Sequence, residues 1–197
     1  GPVTVTPGSE HDVRPHPHIG LATVTYLFSG AIMHRDSLGS VQQIEPGAIN
    51  WMTAGKGIVH SERTPEYLRH SVKAMHGLQI WVALPKELEQ MEPAFFHVEK
   101  EQIPAWSEDG LEYKLVAGEA CGRKSPVPVY SKLYLLEIKS KTQQTVKIGS
   151  ELYGESGLYI LEGSIESDGN VYQPKQLLVA NDASLCEFTI EANSTIY

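Results

Sequence analysis

The chain has 197 residues, a formal net charge of −8 and 41% hydrophobic residues, which is typical of one large or two small globular domains. It shows no apolar run of roughly 18 residues, no signal peptide and no block of lysine or arginine, which argues against a membrane or nucleic acid as a direct partner. The two cysteines, Cys121 and Cys186, form no CxxC pair, so free thiols in a reducing, cytoplasmic setting are the simplest interpretation.

Short segments rich in β-branched and aromatic residues, each closed by a turn signal, fill the first half of the chain. After an irregular entry segment, the pattern predicts strands in four segments and a buried strand in a fifth: 23–29, 31–36, 41–47, 48–57 and 77–85. Pro15 and Pro17 flank His16, and because proline cannot donate to a strand ladder, this stretch is expected at a sheet edge. Strands this short, with turns about every 8 to 12 residues, predict an antiparallel sandwich or barrel.

The second half repeats the rhythm of the first. LYILEGSIESDG at 158–169 parallels VTYLFSGAIMHRDSLG at 24–39, with apolar residues before a glycine, then a strand, then an aspartate-containing turn. Such similarity predicts two copies of one small β-barrel. No histidine occurs from residue 98 onwards, so we predict a metal-binding barrel at 1–98, a linker at 99–110, and a barrel without metal ligands at 111–197.

Two phrases carry potential metal ligands. His16 and His18 lie in RPHPHIG, and His60 and Glu62 lie in GIVHSER. Each pair is spaced i, i+2, which on a strand points both side chains to the same face of the sheet. If the two strands are neighbours, three imidazoles and a carboxylate converge. This set suits a divalent first-row metal, with Fe(II) the first candidate and Zn, Mn, Ni, Co or Cu also compatible. The alternative is a polar surface cluster.

Two further residues are candidates for contacts near such a site. Gln79 lies in an apolar strand pattern and needs a hydrogen-bond partner, which a metal ligand or a substrate would provide. His34 follows Gly30 on a strand and is predicted either to contact a ligand or to lie on the surface. The glycine-rich TAGKG at 53–57 resembles a phosphate cradle only superficially, because it lacks the following Ser/Thr and helix. A turn between strands is the better interpretation.

With these residues in view, the chain resembles the pirin family of the cupin superfamily. The resemblance rests on HPHIGLATVTYLFSG, HRDSLG, PGAINWMTAGKGIVHSER and LQIWVALP, and it extends as a two-barrel layout over nearly the whole chain. It implies an all-β fold of two tandem cupin (jelly-roll) barrels, expected here to be truncated at both ends. Many cupins have a further carboxylate ligand where this chain has Ala22, and the resemblance implies His16, His18, His60 and Glu62 as the metal ligands instead.

The resemblance implies two different functions. Some pirin-like proteins are quercetin 2,3-dioxygenases, which cleave the heterocyclic ring of a flavonol with O2 and release carbon monoxide. In that case the metal would bind the flavonol 3-hydroxyl as its anion and Glu62 would be the catalytic proton acceptor. Others are non-enzymatic, iron-dependent regulators that bind a transcription factor or a metabolic enzyme. The ligand set by itself does not separate the enzyme, with a small aromatic substrate and O2, from the regulator, with a protein partner.

Overall fold

A computed structural model describes residues 2–6, 12–182 and 187–197; Cys186 lies outside this part. Apart from four short 3-10 turns, the regular structure of the described residues is entirely β, so the all-β prediction is confirmed. The chain divides into two compact units, residues 1–102 and 103–197, and this division falls within the segment predicted as a linker. None of the described helices is long and apolar enough to cross a membrane.

The described residues of the N-terminal unit form nine strands. In chain order they are β1 Val3–Val5, β2 Val13–His18, β3 Leu21–Ser29, β4 Ile32–Asp36, β5 Val41–Ile44, β6 Ile49–Thr53, β7 Ile58–Arg63, β8 Lys73–Ala83 and β9 Ala94–Val98. They form two antiparallel sheets, ordered β1-β8-β3-β6-β9 and β2-β7-β4-β5. The 3-10 turns Glu66–Leu68 and Lys86–Leu88 lie on either side of β8.

The sequence explains these elements locally. All six residues from Ala22 to Leu27 in β3 are buried, and β-branched and aromatic side chains suit that position between β6 and β8. The proline-containing strand β2 lies at an edge of its sheet, as expected. The TAGKG segment is a turn between β6 and β7, in which Gly55 adopts φ +48°, and a Cβ on it would approach the carbonyl oxygen of Met91 to 2.1 Å.

Strand β8 differs from its prediction. It begins at Lys73, before the predicted start at residue 77, and Gln79 and Trp81 on one of its faces are exposed. Trp81 is 64% exposed. The prediction of a buried strand is therefore wrong for this face, because apolar composition alone does not show which face of a strand lies at an opening.

In the C-terminal unit, residues 103–182 and 187–197 form eleven strands around an apolar core of their own. They are β10 Ala105–Glu108, β11 Leu111–Ala120, β12 Arg123–Lys124, β13 Tyr134–Ser140, β14 Gln144–Val146, β15 Ser156–Glu162, β16 Ile165–Ser167, β17 Asn170–Tyr172, β18 Leu177–Ala180, β19 Phe188–Ile190 and β20 Ser194–Ile196. The 3-10 turn Gly149–Glu151 also belongs to this unit, whereas the turn Lys100–Gln102 ends the N-terminal unit. Strand β10 pairs with β11, so part of the segment predicted as a linker belongs to a sheet.

The two halves share one feature of the predicted repeat. Gly30 connects β3 to β4 with φ +86°, and Gly163 lies between β15 and β16 with φ +72°. In both units the strand before the glycine belongs to one sheet and the strand after it to another. A positive φ suits glycine, which carries no Cβ. The matching step from sheet to sheet is the structural basis of the sequence similarity.

Candidate metal centre

Strands β2 and β7 bring the two ligand phrases together. They are antiparallel neighbours, with His16 opposite His60 in the register and an irregularity between Val13 and His16. On β7 the i, i+2 spacing points His60 and Glu62 to one face. The predicted adjacency of the two phrases is therefore present in the structure.

Three imidazoles converge at this point. Each ring offers one potential ligand atom, and these three atoms lie within 4.8 Å of one another in the group His16, His18 and His60. The ring centroids are 4.5 to 5.1 Å apart. His60 is 2% and His18 is 9% exposed. A histidine cluster of this kind is a common ligand set for Zn, Cu, Fe or Ni.

The hydrogen bonds of two rings leave nitrogens available to a cation. Nδ1 of His16 lies 2.9 Å from the carbonyl oxygen of Arg14, and because a carbonyl only accepts, this nitrogen carries the proton and Nε2 keeps its lone pair. Among the described residues, the buried Nε2 of His60 has no hydrogen-bond partner. A buried nitrogen without a partner costs about 1–3 kcal/mol, and a bound metal would satisfy it. The residues present therefore fit a metal ion.

The surroundings of His60 and His18 favour the neutral form of both rings. Burial, followed by the proximity of His16, His34 and His18, lowers the pKa of His60 to about 3. Burial and the neighbouring His16 also lower the pKa of His18, although Glu62 opposes the shift. A metal binds the neutral form of imidazole, so binding at His60 displaces no proton near pH 7.

Glu62 has a different environment from the three histidines. It is not part of the group of atoms within 4.8 Å. Its carboxylate accepts hydrogen bonds from Nε2 of Gln79, at 3.1 and 3.0 Å, and from Oγ1 of Thr25, at 3.2 Å. Gln79 therefore contacts a predicted ligand, whereas the role of Glu62 as a fourth ligand stays a prediction.

His34 lies behind His60 and is only 2% exposed. Its Nδ1 is 3.4 Å from Nδ1 of His60, and its Nε2 is 2.9 Å from Oδ2 of Asp36. The ring stacks on Phe95, with centroids 4.2 Å apart and planes 13° apart. Of the two interpretations of His34, contact with a predicted ligand is the one that the structure supports.

Trp81 is a neighbour of the site that the sequence interpretation missed. Its ring packs edge-on against His18, with centroids 5.3 Å apart, and it lies on the same face of β8 as Gln79. The signal was available in the sequence, because Trp81 is two residues after Gln79 and any strand would point both side chains the same way. An exposed tryptophan beside three imidazoles gives this face an aromatic surface.

Each of the two units contains a cavity. A cavity of about 230 Å³ has Glu62 in its wall, together with Val5, Val13, Ile32 and Met75, but none of the three histidines. A larger cavity of about 790 Å³ lies inside the C-terminal unit, and its walls contain no histidine. The three histidines line neither cavity, and the exposed Trp81 packs against one of them, His18.

Comparison with known proteins gives the family. A family model described as Pirin matches residues 1–82. Over the full length of this chain, 45% of the residues are identical to a pirin-like protein of Caulobacter vibrioides, of which the match covers 68%. The chain belongs to the pirin family. It spans only 50–60% of the length of three further curated relatives.

Solved structures confirm the fold of this pirin-family chain. A crystal structure of quercetin 2,3-dioxygenase from Acinetobacter baumannii is 34% identical, with a TM-score of 0.85 over 100% of this chain and 64% of the other. A bacterial pirin from Escherichia coli, in complex with nickel(II), has a TM-score of 0.71 over 99% of this chain and 77% of the other at 18% identity, a likeness of fold alone. The predicted architecture of two tandem cupin barrels is thereby confirmed.

Proposed function

We propose that the chain is a mononuclear metal protein that cleaves a flavonol, such as quercetin, with O2 and releases carbon monoxide. The observation that carries the proposal is the convergence of His16, His18 and His60, with a buried and unpartnered Nε2 on His60. The similarity to a quercetin 2,3-dioxygenase over the whole chain supports the choice of reaction. The substrates are then a small aromatic molecule and O2.

The three imidazoles would hold the metal, with Fe(II) as the first candidate. Zn, Mn, Ni, Co and Cu also bind imidazole and carboxylate ligands, and for this reason the test below includes several metals. Glu62 would be the fourth ligand: its carboxylate has about four lone-pair sites and accepts three hydrogen bonds from Gln79 and Thr25, which leaves one site on Oε2 for the metal. When bound, the metal acts as a Lewis acid that lowers the pKa of a coordinated hydroxyl group.

The chain's own residues supply the remaining steps. Glu62 accepts the proton of the flavonol 3-hydroxyl, and Gln79 and Thr25 hold its carboxylate in place for that transfer. A positioned carboxylate of this kind typically contributes about 10²- to 10⁴-fold to the rate. The exposed ring of Trp81 provides a flat apolar surface beside His18, on which an aromatic substrate stacks.

The test is an assay of flavonol consumption. The protein is loaded separately with Fe(II), Mn(II), Ni(II) and Co(II), its metal content is measured by mass spectrometry, and quercetin absorbance and carbon monoxide release are followed under air. Turnover is expected with at least one metal for the wild type and for His70→Ala, whose side chain is exposed outside the cluster. His60→Ala is expected to be inactive.

One observation favours the alternative, a non-enzymatic iron-dependent regulator that binds a transcription factor or a metabolic enzyme. The cavity beside Glu62, about 230 Å³, is smaller than the roughly 300–1,000 Å³ of most ligand sites. A flavonol would therefore have to bind on the open side near Trp81. If metal-loaded protein consumed no flavonol with any of the four metals, the dioxygenase proposal would be refuted and the regulator favoured.

A further inference from the structure

Asp36 is a buried carboxylate at the end of β4, next to the proposed metal centre but not part of it. Its side chain is 0% exposed. Oδ1 accepts hydrogen bonds from the backbone N–H groups of Leu38, at 2.9 Å, and Ser40, at 3.0 Å. The turn after β4 therefore fixes the carboxylate and leaves Oδ2 directed at His34.

The hydrogen-bond chain from Asp36 determines where the protons are. An ionised carboxylate only accepts, so Nε2 of His34 must carry a proton. With that proton on Nε2, the His34 ring has its lone pair, and therefore an acceptor, at Nδ1. Nδ1 of His60 lies 3.4 Å away and must be the donor. The proton on Nδ1 of His60 leaves the lone pair on Nε2, which is the atom without a partner.

We propose that Asp36 and His34 are positioning residues that hold His60 in the tautomer with a free lone pair on Nε2. This inference rests on the proposed metal site. Stacking on Phe95 fixes the plane of the His34 ring, so the hydrogen bonds of His34 to Asp36 and His60 have little freedom to rearrange. The backbone carbonyl of Arg14 has the same effect on His16, and two ligands are thus prepared for the metal by different groups.

An asparagine at position 36 reverses the direction of the hydrogen bonds that run from residue 36 through His34 to His60. The two backbone N–H groups of Leu38 and Ser40 require an oxygen, so the amide NH2 group must face His34. Nε2 of His34 then becomes an acceptor and its Nδ1 carries the proton. His60 accepts at Nδ1 and is protonated at Nε2, the nitrogen that faces the cluster. Asp36→Asn therefore changes the tautomer of His60 with little change in shape.

The first test measures the affinity for Ni(II) by competition with a chromophoric chelator. Groups that orient metal ligands typically contribute about 10- to 100-fold to metal affinity, and Asp36→Asn is expected to raise the Kd by that factor. His34→Phe, which can still stack on Phe95, is expected to weaken binding similarly. The matched control is Ser37→Ala in the same turn, whose hydroxyl accepts a hydrogen bond from the N–H of Val59; its Kd is expected to equal that of the wild type.

The second test reads the tautomer directly in metal-free protein by long-range ¹⁵N NMR of the imidazole rings, with His60 assigned from the spectrum of His60→Ala. The wild type is expected to show His60 protonated at Nδ1 and Asp36→Asn to show it protonated at Nε2. An unchanged tautomer together with an unchanged Kd would overturn the proposal. If the wild type binds no Ni(II), the metal proposal fails, while the NMR result still decides whether Asp36 sets the tautomer.

Discussion

Substitution of His60 by alanine gives a quantitative test of the metal centre. A metal at about 100 times its Kd stabilises the folded wild type by about 2.7 kcal/mol. For a chain of 197 residues each kcal/mol raises the Tm by about 2–4 °C, so we expect a rise of about 5–11 °C. If the N-terminal unit unfolds separately, the corresponding rise is about 11–22 °C.

His60→Ala is expected to lose most of this metal-induced rise in Tm. A structural zinc site with four ligands has an apparent binding free energy of roughly 10–16 kcal/mol, or about 3 kcal/mol for each ligand, which is more than 100-fold in Kd. At the same metal concentration His60→Ala is then at or below half-saturation. Its stabilisation is about 0.4 kcal/mol or less, and its Tm rises by at most about 2 °C, or about 3 °C if the N-terminal unit unfolds separately.

The assay is differential scanning calorimetry with and without metal, and the quantity compared is the shift within each protein. The metal-free Tm is not diagnostic, because removing His60 relieves an unsatisfied buried nitrogen but also opens a cavity and leaves Nδ1 of His34 without its donor. His70→Ala is the control for binding at exposed histidines and is expected to keep the full shift. The assignment of His60 as a metal ligand would be refuted if metal raised the Tm of His60→Ala as much as that of the wild type, or if His70→Ala lost the rise.

Three further predictions concern catalysis, the turn after β6 and alkaline stability. Glu62→Gln should keep the metal on the three imidazoles, measured by mass spectrometry, while flavonol turnover falls about 10²- to 10⁴-fold; equal loss of both would make Glu62 primarily a ligand. In urea unfolding, Gly55→Ala should lose about 1–3 kcal/mol more than Gly20→Ala. Both glycines have a left-handed φ, +48° and +71°, but a Cβ at position 55 would lie 2.1 Å from the carbonyl oxygen of Met91, whereas the atoms nearest to one at position 20 are 4.0 Å away; equal losses would contradict this. Burial, followed by the nearby Cys121, Glu108 and Asp109, raises the pKa of Tyr113 to about 12. The neutral side chain of Tyr113 contributes its full stabilisation below the pKa of about 10 in the unfolded chain, and this contribution is lost as the pH rises through about 12. The urea midpoint of Tyr113→Phe should therefore fall less between about pH 10 and about pH 12 than that of the wild type. An identical fall in both proteins would show that Tyr113 does not contribute.

The elements that were predicted correctly depend on short-range patterns. Apolar alternation and β-branched residues are sufficient to identify β3, and the two prolines are sufficient to place β2 at an edge. The i, i+2 spacing brings His16 and His18 to one face whatever the rest of the fold. Gln79 was predicted as a contact of a ligand for a similar reason, since an amide in an apolar strand requires a partner.

Other features of the site depend on which strands are neighbours. The sequence does not show that β4 pairs with β7, and it is this pairing that sets Asp36 opposite His60 and His34 opposite Glu62. The partnership of Glu62 with Thr25 and Gln79 joins β7 to both β3 and β8 in the same way. No local pattern contains this information, because the partners are separated by 17 to 37 residues.

The sequence by itself determined the β class, the two-barrel layout and the three imidazoles, because a period of two residues and turn chemistry are properties of adjacent residues. Only the tertiary structure decided which histidine nitrogen is buried without a hydrogen-bond partner, which residues contact the three rings and that Trp81 is exposed beside His18. These properties depend on strand register and on burial, and both arise only when distant segments pack against one another. The clearest example is the placement of protons between Asp36, His34 and His60, because each proton position follows from a hydrogen bond between side chains that the packed strands bring together.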